Sequence, residues 1–381
     1  MKKIKILMLH LNYGGIEKQT ISMANQLCDK FDIEIISVYN FKTPPAYQIN
    51  KKIKIKYLMD KTPNKEEILK NFKKFKLTNL IKSLFLATNI LFEKRKALKE
   101  CINNLETDIL FSTRINFSKV IDDNYEGKGL IIFQEHNYIN TKKYGKKVKN
   151  STKKTDYIIV MSEYAKKTYK KWVPNKKIMI IPNISDYDIQ KDKELSNLNN
   201  NTLIAIGRLE KIKRYEDVIK AFDLIQKEHK DIKLKIVGDG SQKVKLLKLV
   251  EKLKLEQKIE FTGLASSKTI KEYLKKSDLL IITSHSEAFP MVIIEAGGIG
   301  VPVISYEIPA GPISMIEDKN FLVENGNIKE LSKKISNYLN LNNNEKREIG
   351  EKVWSNSLRY SPQKIIPLWI NLLEGEKNEN K

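Results

Sequence analysis

Short apolar runs alternate with stretches of helical periodicity along the chain. In the N-terminal half the runs are Ile4 to Leu9, Ile33 to Val38, Ile53 to Leu58, Ile109 to Ser112, Leu130 to Phe133 and Tyr157 to Met161. Runs bounded by helical patterns predict parallel strands covered by helices on both faces. After a polar stretch from Asn183 to Asn201 the pattern restarts with Leu203 to Ile206, Leu234 to Val237, Ile259 to Phe261, Leu279 to Ile282 and Val301 to Ser305. Helical patterns such as Glu216 to Glu228 and Gln242 to Leu253 separate these runs. The expected fold is α/β, with two doubly wound Rossmann-like domains facing across a cleft: residues 1–183 and residues 201–360. The polar segment 184–200 reads as a linker, because it offers little apolar surface to bury. Residues 361–381 read as a helix, Pro362 to Leu373, packing back on the N-terminal domain, and a tail that frays from Gly375 onward. Ligands in such sheets sit beyond the carboxyl ends of the strands.

Composition narrows the class. A chain of 381 residues with 41% hydrophobic content can bury two cores and is not expected to be disordered. Cys28 and Cys101 lack metal-ligand spacing, which argues against a disulfide scaffold or structural zinc and fits a reducing cytoplasm. No small-residue cleavage site follows the first apolar run, so no signal peptide is expected. Leu77 to Phe92 is interrupted by Thr78, Asn79, Lys82 and Asn89 and is too short to span a bilayer.

The formal charge of +23 admits nucleic acid, anionic lipid or an anionic substrate. Thr141 to Lys154 holds seven lysines and no acid, and Lys70 to Lys99 interleaves lysines with Leu80, Ile81, Leu84, Phe85, Leu86, Ile90, Leu91 and Phe92. Interleaving of that kind suits docking on an anionic membrane surface, against the blander reading of a solvated basic surface. Nucleic acid is not expected, since charge alone supports it.

Two motifs carry chemistry. Gly207-Arg208-Leu209, with Lys213 six residues after the glycine, follows a predicted strand. Arginine grips phosphate oxygens bidentately and lysine adds a movable point charge, so the pair suits a diphosphate; two solvated charges are the competing reading. Ser286 to Ala296 contains Glu287, Phe289, Pro290, Met291, Val292 and Glu295 after the run Leu279 to Ile282. Pro290 is expected to open a helix as its first residue, leaving the N–H groups of Met291 and Val292 to receive a phosphate. Glu287 can accept hydrogen bonds from sugar hydroxyls and Glu295 from a ribose, with two solvent-facing glutamates flanking a helix as the alternative.

These stretches resemble the donor site of glycosyltransferase family 4, which has the two-domain GT-B fold. The resemblance extends to Asn12-Tyr13-Gly14-Gly15-Ile16-Glu17, Ile181-Pro182-Asn183, Val237-Gly238-Asp239-Gly240 and Gly300-Val301-Pro302-Val303-Ile304, and is thinner in the N-terminal half. It implies a retaining hexosyltransferase that needs no metal, takes a nucleotide-diphosphate sugar such as a UDP-sugar, and delivers the sugar to a surface polysaccharide or lipid-linked glycan. Such a protein would be cytoplasmic and peripheral at the inner face of the cell membrane. In this resemblance Arg208 and Lys213 hold the diphosphate, Glu287 contacts the transferred sugar and Glu295 the ribose, with Phe289, Met291 and Val292 in the same donor loop. Gly14 and Gly15 let the N-terminal backbone approach the diphosphate, and His136, in Gln134-Glu135-His136-Asn137, lies on the acceptor side of the reaction centre. Domain closure on the donor would exclude water.

Arg214 and Ala288 depart from the family pattern, where a small residue and a glycine are frequent, and Gly297 and Gly298 weaken the helix after Glu295. A nucleotide-sugar epimerase or hydrolase of related architecture is the nearest alternative. An NAD-dependent oxidoreductase is disfavoured, because the first strand-to-helix turn lacks the G-x-G-x-x-G spacing. Asp186-Tyr187-Asp188 reads as a solvated turn rather than a metal site.

Overall fold

The computed structural model describes residues 1–73, 76–185, 189 and 194–375. The chain divides into two compact units. The first is Met1–Val160 with Lys166–Ile181 and Leu368–Lys381, and the second is Met161–Ala165 with Pro182–Pro367.

Among the described residues the first unit carries a parallel sheet of seven strands: β1 (Lys3–Met8), β2 (Asp32–Tyr39), β3 (Lys54–Met59), β4 (Ile109–Ser112), β5 (Leu130–Gln134), β6 (Tyr157–Val160) and β7 (Lys177–Ile180). Their order is β3-β2-β1-β4-β5-β6-β7. The second unit carries six: β8 (Thr202–Ile206), β9 (Lys233–Val237), β10 (Ile259–Gly263), β11 (Leu279–Ile282), β12 (Val303–Tyr306) and β13 (Leu322–Val323), in the order β10-β9-β8-β11-β12-β13. Every residue of β4, β11 and β12 is buried, as expected of strands sandwiched between helix layers.

Strand order reverses between β1 and β4 in one sheet and between β8 and β11 in the other. Such reversals open a crevice beyond the carboxyl ends of the strands, where ligands collect. The loops after β1, β4, β8 and β11 therefore matter most.

Two strands were not anticipated, β7 and β13. Both are short strands at the sheet edges, of four and two residues. The run at Val301 begins two residues later than expected, because Pro302 offers no N–H to a ladder and instead accepts from Leu280 N–H at 3.0 Å.

The stretch 184–200 is not a solvated tether in its described residues. Ile184, Ile189 and Leu198 are buried, and the Asp278 carboxylate accepts from the N–H groups of Asn200 (2.8 Å) and Thr202 (3.0 Å). Three scattered apolar residues were hidden in a polar average. Asp186-Tyr187-Asp188 and the tail after Gly375 lie outside the described residues.

The last helix, Pro362–Glu374, changes unit after Pro367. Its Trp369 is buried against Phe111 of β4, and Lys2 Nζ donates to the terminal carbonyls of Leu373 and Glu374, both at 2.9 Å.

Candidate active-site loops

In the second unit the chain turns sharply as it leaves β8 and β9. Gly238 has φ +139, and a Cβ there would lie 2.0 Å from the carbonyl oxygen of Gly207, so only glycine fits. The two loops then run in contact: Gly207 N–H donates to Val237 (3.0 Å) and Leu209 N–H to Asp239 (2.9 Å). Between them Arg208 projects outward. Its side chain is exposed and, although its carbonyl accepts from Glu210 N–H at 2.8 Å, its guanidinium has no hydrogen-bond or ion-pair partner among the described residues and is available to an incoming anion.

Lys213 ends a single 3-10 turn, Lys211–Lys213, that Glu210 anchors by accepting from Lys213 N–H (2.9 Å) and Ser241 Oγ (2.7 Å). Thr283 Oγ1 donates to the carbonyl of Lys213 (3.0 Å) and fixes the turn to the end of β11. Lys213 Nζ forms an ion pair with Glu287, whose Oε1 also accepts from Ser284 Oγ at 2.6 Å. The two side chains are 23% and 13% exposed, so the charges lie close to the surface yet are partly desolvated. Behind them Tyr215 is buried; burial and then the negative charge of Glu287 push its hydroxyl well above the usual range, so it stays protonated.

Arg214, the departure from the family pattern, is a brace. It adopts the left-handed conformation (φ 53), and its guanidinium donates to Asn325 Oδ1 (2.7 Å), pairs with Asp217 (2.8 Å) and lies over the Tyr306 ring. Tyr306 completes the cluster by donating to Asp217 at 3.0 Å. A small residue there would forgo all three contacts.

One expectation about the loop after β11 is corrected. Pro290 is not the first helical residue: its ψ of 107° is extended, it caps the helix, and Met291–Gly297 is the helical stretch. Phe289, placed among the donor-binding residues by the resemblance, has its ring buried and edge to face with Tyr360 at 5.5 Å, so the ring anchors the loop to the core. Met291 and Val292 form the first turn of a seven-residue helix, Glu295 is buried within it, and the helix stops at Gly297. A cavity of about 550 Å³ opens beside this region, lined by Ile212, Tyr215, Gln242, Lys245 and His285 among others, but none of Arg208, Lys213, Glu287 or Glu295 lines it.

In the first unit, Gly14 caps the helix Gly15–Leu27 in an extended conformation. The need for glycine at this position is local: a Cβ would come within 2.1 Å of Glu17 Oε2, whereas one on Gly15 would meet nothing within 4 Å. A side chain at Gly15 would therefore have room, whereas one at Gly14 would displace Glu17. Glu17 is buried and pairs with Arg114 (2.7 Å), which caps the helix Ile115–Asn124 after β4.

His136 follows β5. Burial, and secondarily the charge of Arg114, push its pKa down to about 3, so the ring is neutral at ordinary pH and serves as a hydrogen-bonding group rather than a cation. The preceding residue, Glu135, is buried and accepts from Tyr144 (2.6 Å), Tyr169 and Asn137 N–H (2.9 Å), which fixes the loop that carries His136. Burial raises its pKa while these hydrogen bonds oppose the shift. Arg114, Tyr215, Ser284 and the role of Glu135 were not anticipated. The one sequence signal was position, since a polar residue just past a buried run sits at a strand's carboxyl end.

Residues 186–353 match the family model described as glycosyl transferases group 1. The chain is 28% identical over 380 residues to an uncharacterized glycosyltransferase of Haemophilus influenzae, covering 98% of this chain and 100% of that one. It is 24% identical over 373 residues, 94% of its own length, to an exopolysaccharide phosphotransferase of Streptomyces coelicolor, but spans only 39% of that protein. A structure of S. aureus TarM in complex with fondaparinux, alpha-GlcNAc-glycerol and UDP aligns over 98% of this chain and 100% of its own, with a TM-score of 0.77 and 18% identity. At that identity the likeness shows the fold alone: the two parallel-sheet units have the GT-B architecture.

Proposed function

We propose that this chain, a glycosyltransferase whose residues 186–353 belong to glycosyl transferases group 1, moves a hexose or N-acetylhexosamine from a nucleotide-diphosphate sugar to a polysaccharide or lipid-linked glycan with retention of configuration. The observation that carries the donor half is the Lys213–Glu287 pair beside the unpartnered Arg208. An incoming diphosphate competes with Glu287 for Lys213. Once Lys213 turns to phosphate, the Glu287 carboxylate, still held by Ser284, is free to accept from sugar hydroxyls. Arg208 and Lys213 then neutralise charge that develops on the departing diphosphate, so the reading calls for no metal. Glu295 takes the ribose, and the Met291–Val292 turn lies on the phosphate side. Room is open beside Gly15 in the first unit, and the neutral His136 contacts the reacting acceptor.

In this mechanism the sugar–phosphate bond breaks and the acceptor oxygen attacks the same face, with a departing phosphate oxygen taking the acceptor's proton. The test of the site is donor binding by calorimetry with UDP-, GDP- and ADP-sugars. One donor should bind, at least tenfold more weakly to Arg208→Ala and Glu295→Ala chains that keep their circular dichroism. If no nucleotide sugar binds, or the substitutions leave affinity unchanged, the assignment is wrong.

An anionic membrane surface belongs to the same reading. The helix Leu77–Asn103 turns Ser83 and Ile90 inward and leaves Leu77, Ile81, Leu84, Phe85, Leu91 and Phe92 exposed. At 100° per residue these six fall within an arc of about 120°, Arg95 and Lys99 lie at the same angles, and Leu86, also exposed, lies on the opposite side. No described helix is long and apolar enough to cross a membrane, so the face suits lying on one. Vesicles rich in phosphatidylglycerol should float with the chain at low salt, and Phe85→Ser with Phe92→Ser should abolish at least nine-tenths of that binding. Equal flotation with purely zwitterionic vesicles would overturn the electrostatic part.

A further inference from the structure

Three enclosed nitrogens in the first unit have no hydrogen-bond partner: His10 Nδ1, Arg114 Nε and His136 Nε2. They belong together. His10 follows β1, Arg114 follows β4 and His136 follows β5, and these strands are neighbours in the sheet. Lys94 reaches the same end of the sheet from the helix Leu77–Asn103, with its Nζ 5.5 Å from the centre of the Tyr39 ring at the end of β2. Ring contacts from Tyr39 to Phe41 (6.4 Å) and from Phe41 to His10 (5.8 Å) join Lys94 to the group.

The charges do not cancel. Arg114 has Glu17 as its carboxylate, at 2.7 Å, while Glu17 lies 3.8 Å from His10, beyond hydrogen-bond reach. Lys94 is half-buried and has no carboxylate within ion-pair distance among the described residues. Glu135, the other buried acid nearby in sequence, is engaged by Tyr144, Tyr169 and Asn137. Burial lowers the pKa of His10, His136 and Lys94; at His10 the Glu17 carboxylate opposes the shift, and the Arg114 charge adds to it at all three, which places them within its field. One uncompensated cation and three orphaned nitrogens, partly withdrawn from water, are costly unless a ligand meets them.

We propose that Lys94, Arg114 and His10 form a binding site for an anionic group, a phosphate or a carboxylate, carried by the acceptor. The inference rests on the reading that the first unit handles the acceptor. Lys94 supplies the net charge, Arg114 Nε and the neutral His10 ring supply direction, and Glu17 holds Arg114 in place. An acceptor whose anion is seated here is selected over a neutral glycan.

Inorganic phosphate and, separately, malonate are titrated into the full chain at fixed ionic strength and followed by calorimetry, with no donor present. A saturable site is expected that is at least tenfold weaker in Lys94→Met and unchanged in Lys147→Met, which removes an exposed lysine of the helix Lys142–Ser151, and that persists in Arg208→Ala, which removes a phosphate ligand of the second unit. If the methionine variant loses its circular dichroism, Lys94→Gln takes its place. Tighter phosphate binding assigns a phosphate-bearing acceptor, and tighter malonate binding a carboxylate-bearing one. No saturable site, equal binding by Lys94→Met and the parent, or equal weakening by Lys147→Met would overturn the proposal and leave diffuse attraction to a basic surface. Nucleotide-sugar binding, measured on the same samples, separates the two readings: a chain that binds donor but no anion sinks only this inference, and one that binds anion but no donor sinks the transferase site.

Discussion

Replacing Lys213 by alanine is expected to lower turnover at saturating nucleotide sugar by about 10²–10³-fold, the usual cost of losing one donor to a developing oxyanion. The loss should appear in kcat more than in KM, because negative charge on the departing diphosphate grows only as the sugar–phosphate bond breaks, and an interaction stronger in the transition state acts on the chemical step. The same substitution leaves Glu287 with Ser284 as its nearest donor, so the carboxylate loses its cation whether or not ligand is bound. Lys213→Arg should recover only part of the rate, since a planar fork does not replace a compact ammonium at the end of a tight turn. Steady-state kinetics on protein checked by circular dichroism decide the matter. A kcat within threefold of the parent would show that Lys213 is a structural ion-pair partner and no more.

Trp369→Ala should destabilise the first unit by about 3–5 kcal/mol, the range for removing a large buried aromatic from a core. Trp369 is 2% exposed and packs on Phe111 of β4, one of the two strands beside the switch point, although the helix that carries it begins in the second unit. Lys2 secures the far end of that helix by donating to its last carbonyls, a favourable place for a cation. Urea denaturation should therefore show an earlier transition for the first unit, and an unchanged midpoint would mean that the C-terminal helix contributes no core there. Because β4 leads into Arg114, loosening this contact should also weaken anion binding by the first unit.

Much of this protein was legible along the chain, and unevenly so. Leu279 to Ile282 and Ile109 to Ser112 are read correctly to the residue, since strands covered on both faces leave unbroken apolar runs. The 184–200 stretch was misread because Ile184, Ile189 and Leu198 are too sparse to register against a polar background, yet each fills the core. Phe289 was placed with the ligand on account of its neighbours in sequence, while its ring contacts Tyr360, which only the folded chain brings near.

Periodicity and motif spacing determined the two doubly wound units and drew attention to Arg208, Lys213, Glu287 and Glu295, while His136 entered only through the family resemblance. Those features follow from local patterns: apolar period, glycine where the backbone must turn, and charged residues just past a strand. Tertiary structure decided how the groups work. It joined Lys213 to Glu287 across 74 positions of sequence, made Arg214 a brace by bringing Asn325 and Asp217 to it, and gathered His10, Lys94 and Arg114 at one end of a sheet. The physical reason is strand order. β1 lies beside β4, and β8 beside β11, so residues distant along the chain become neighbours at the carboxyl ends, and no local pattern carries that adjacency.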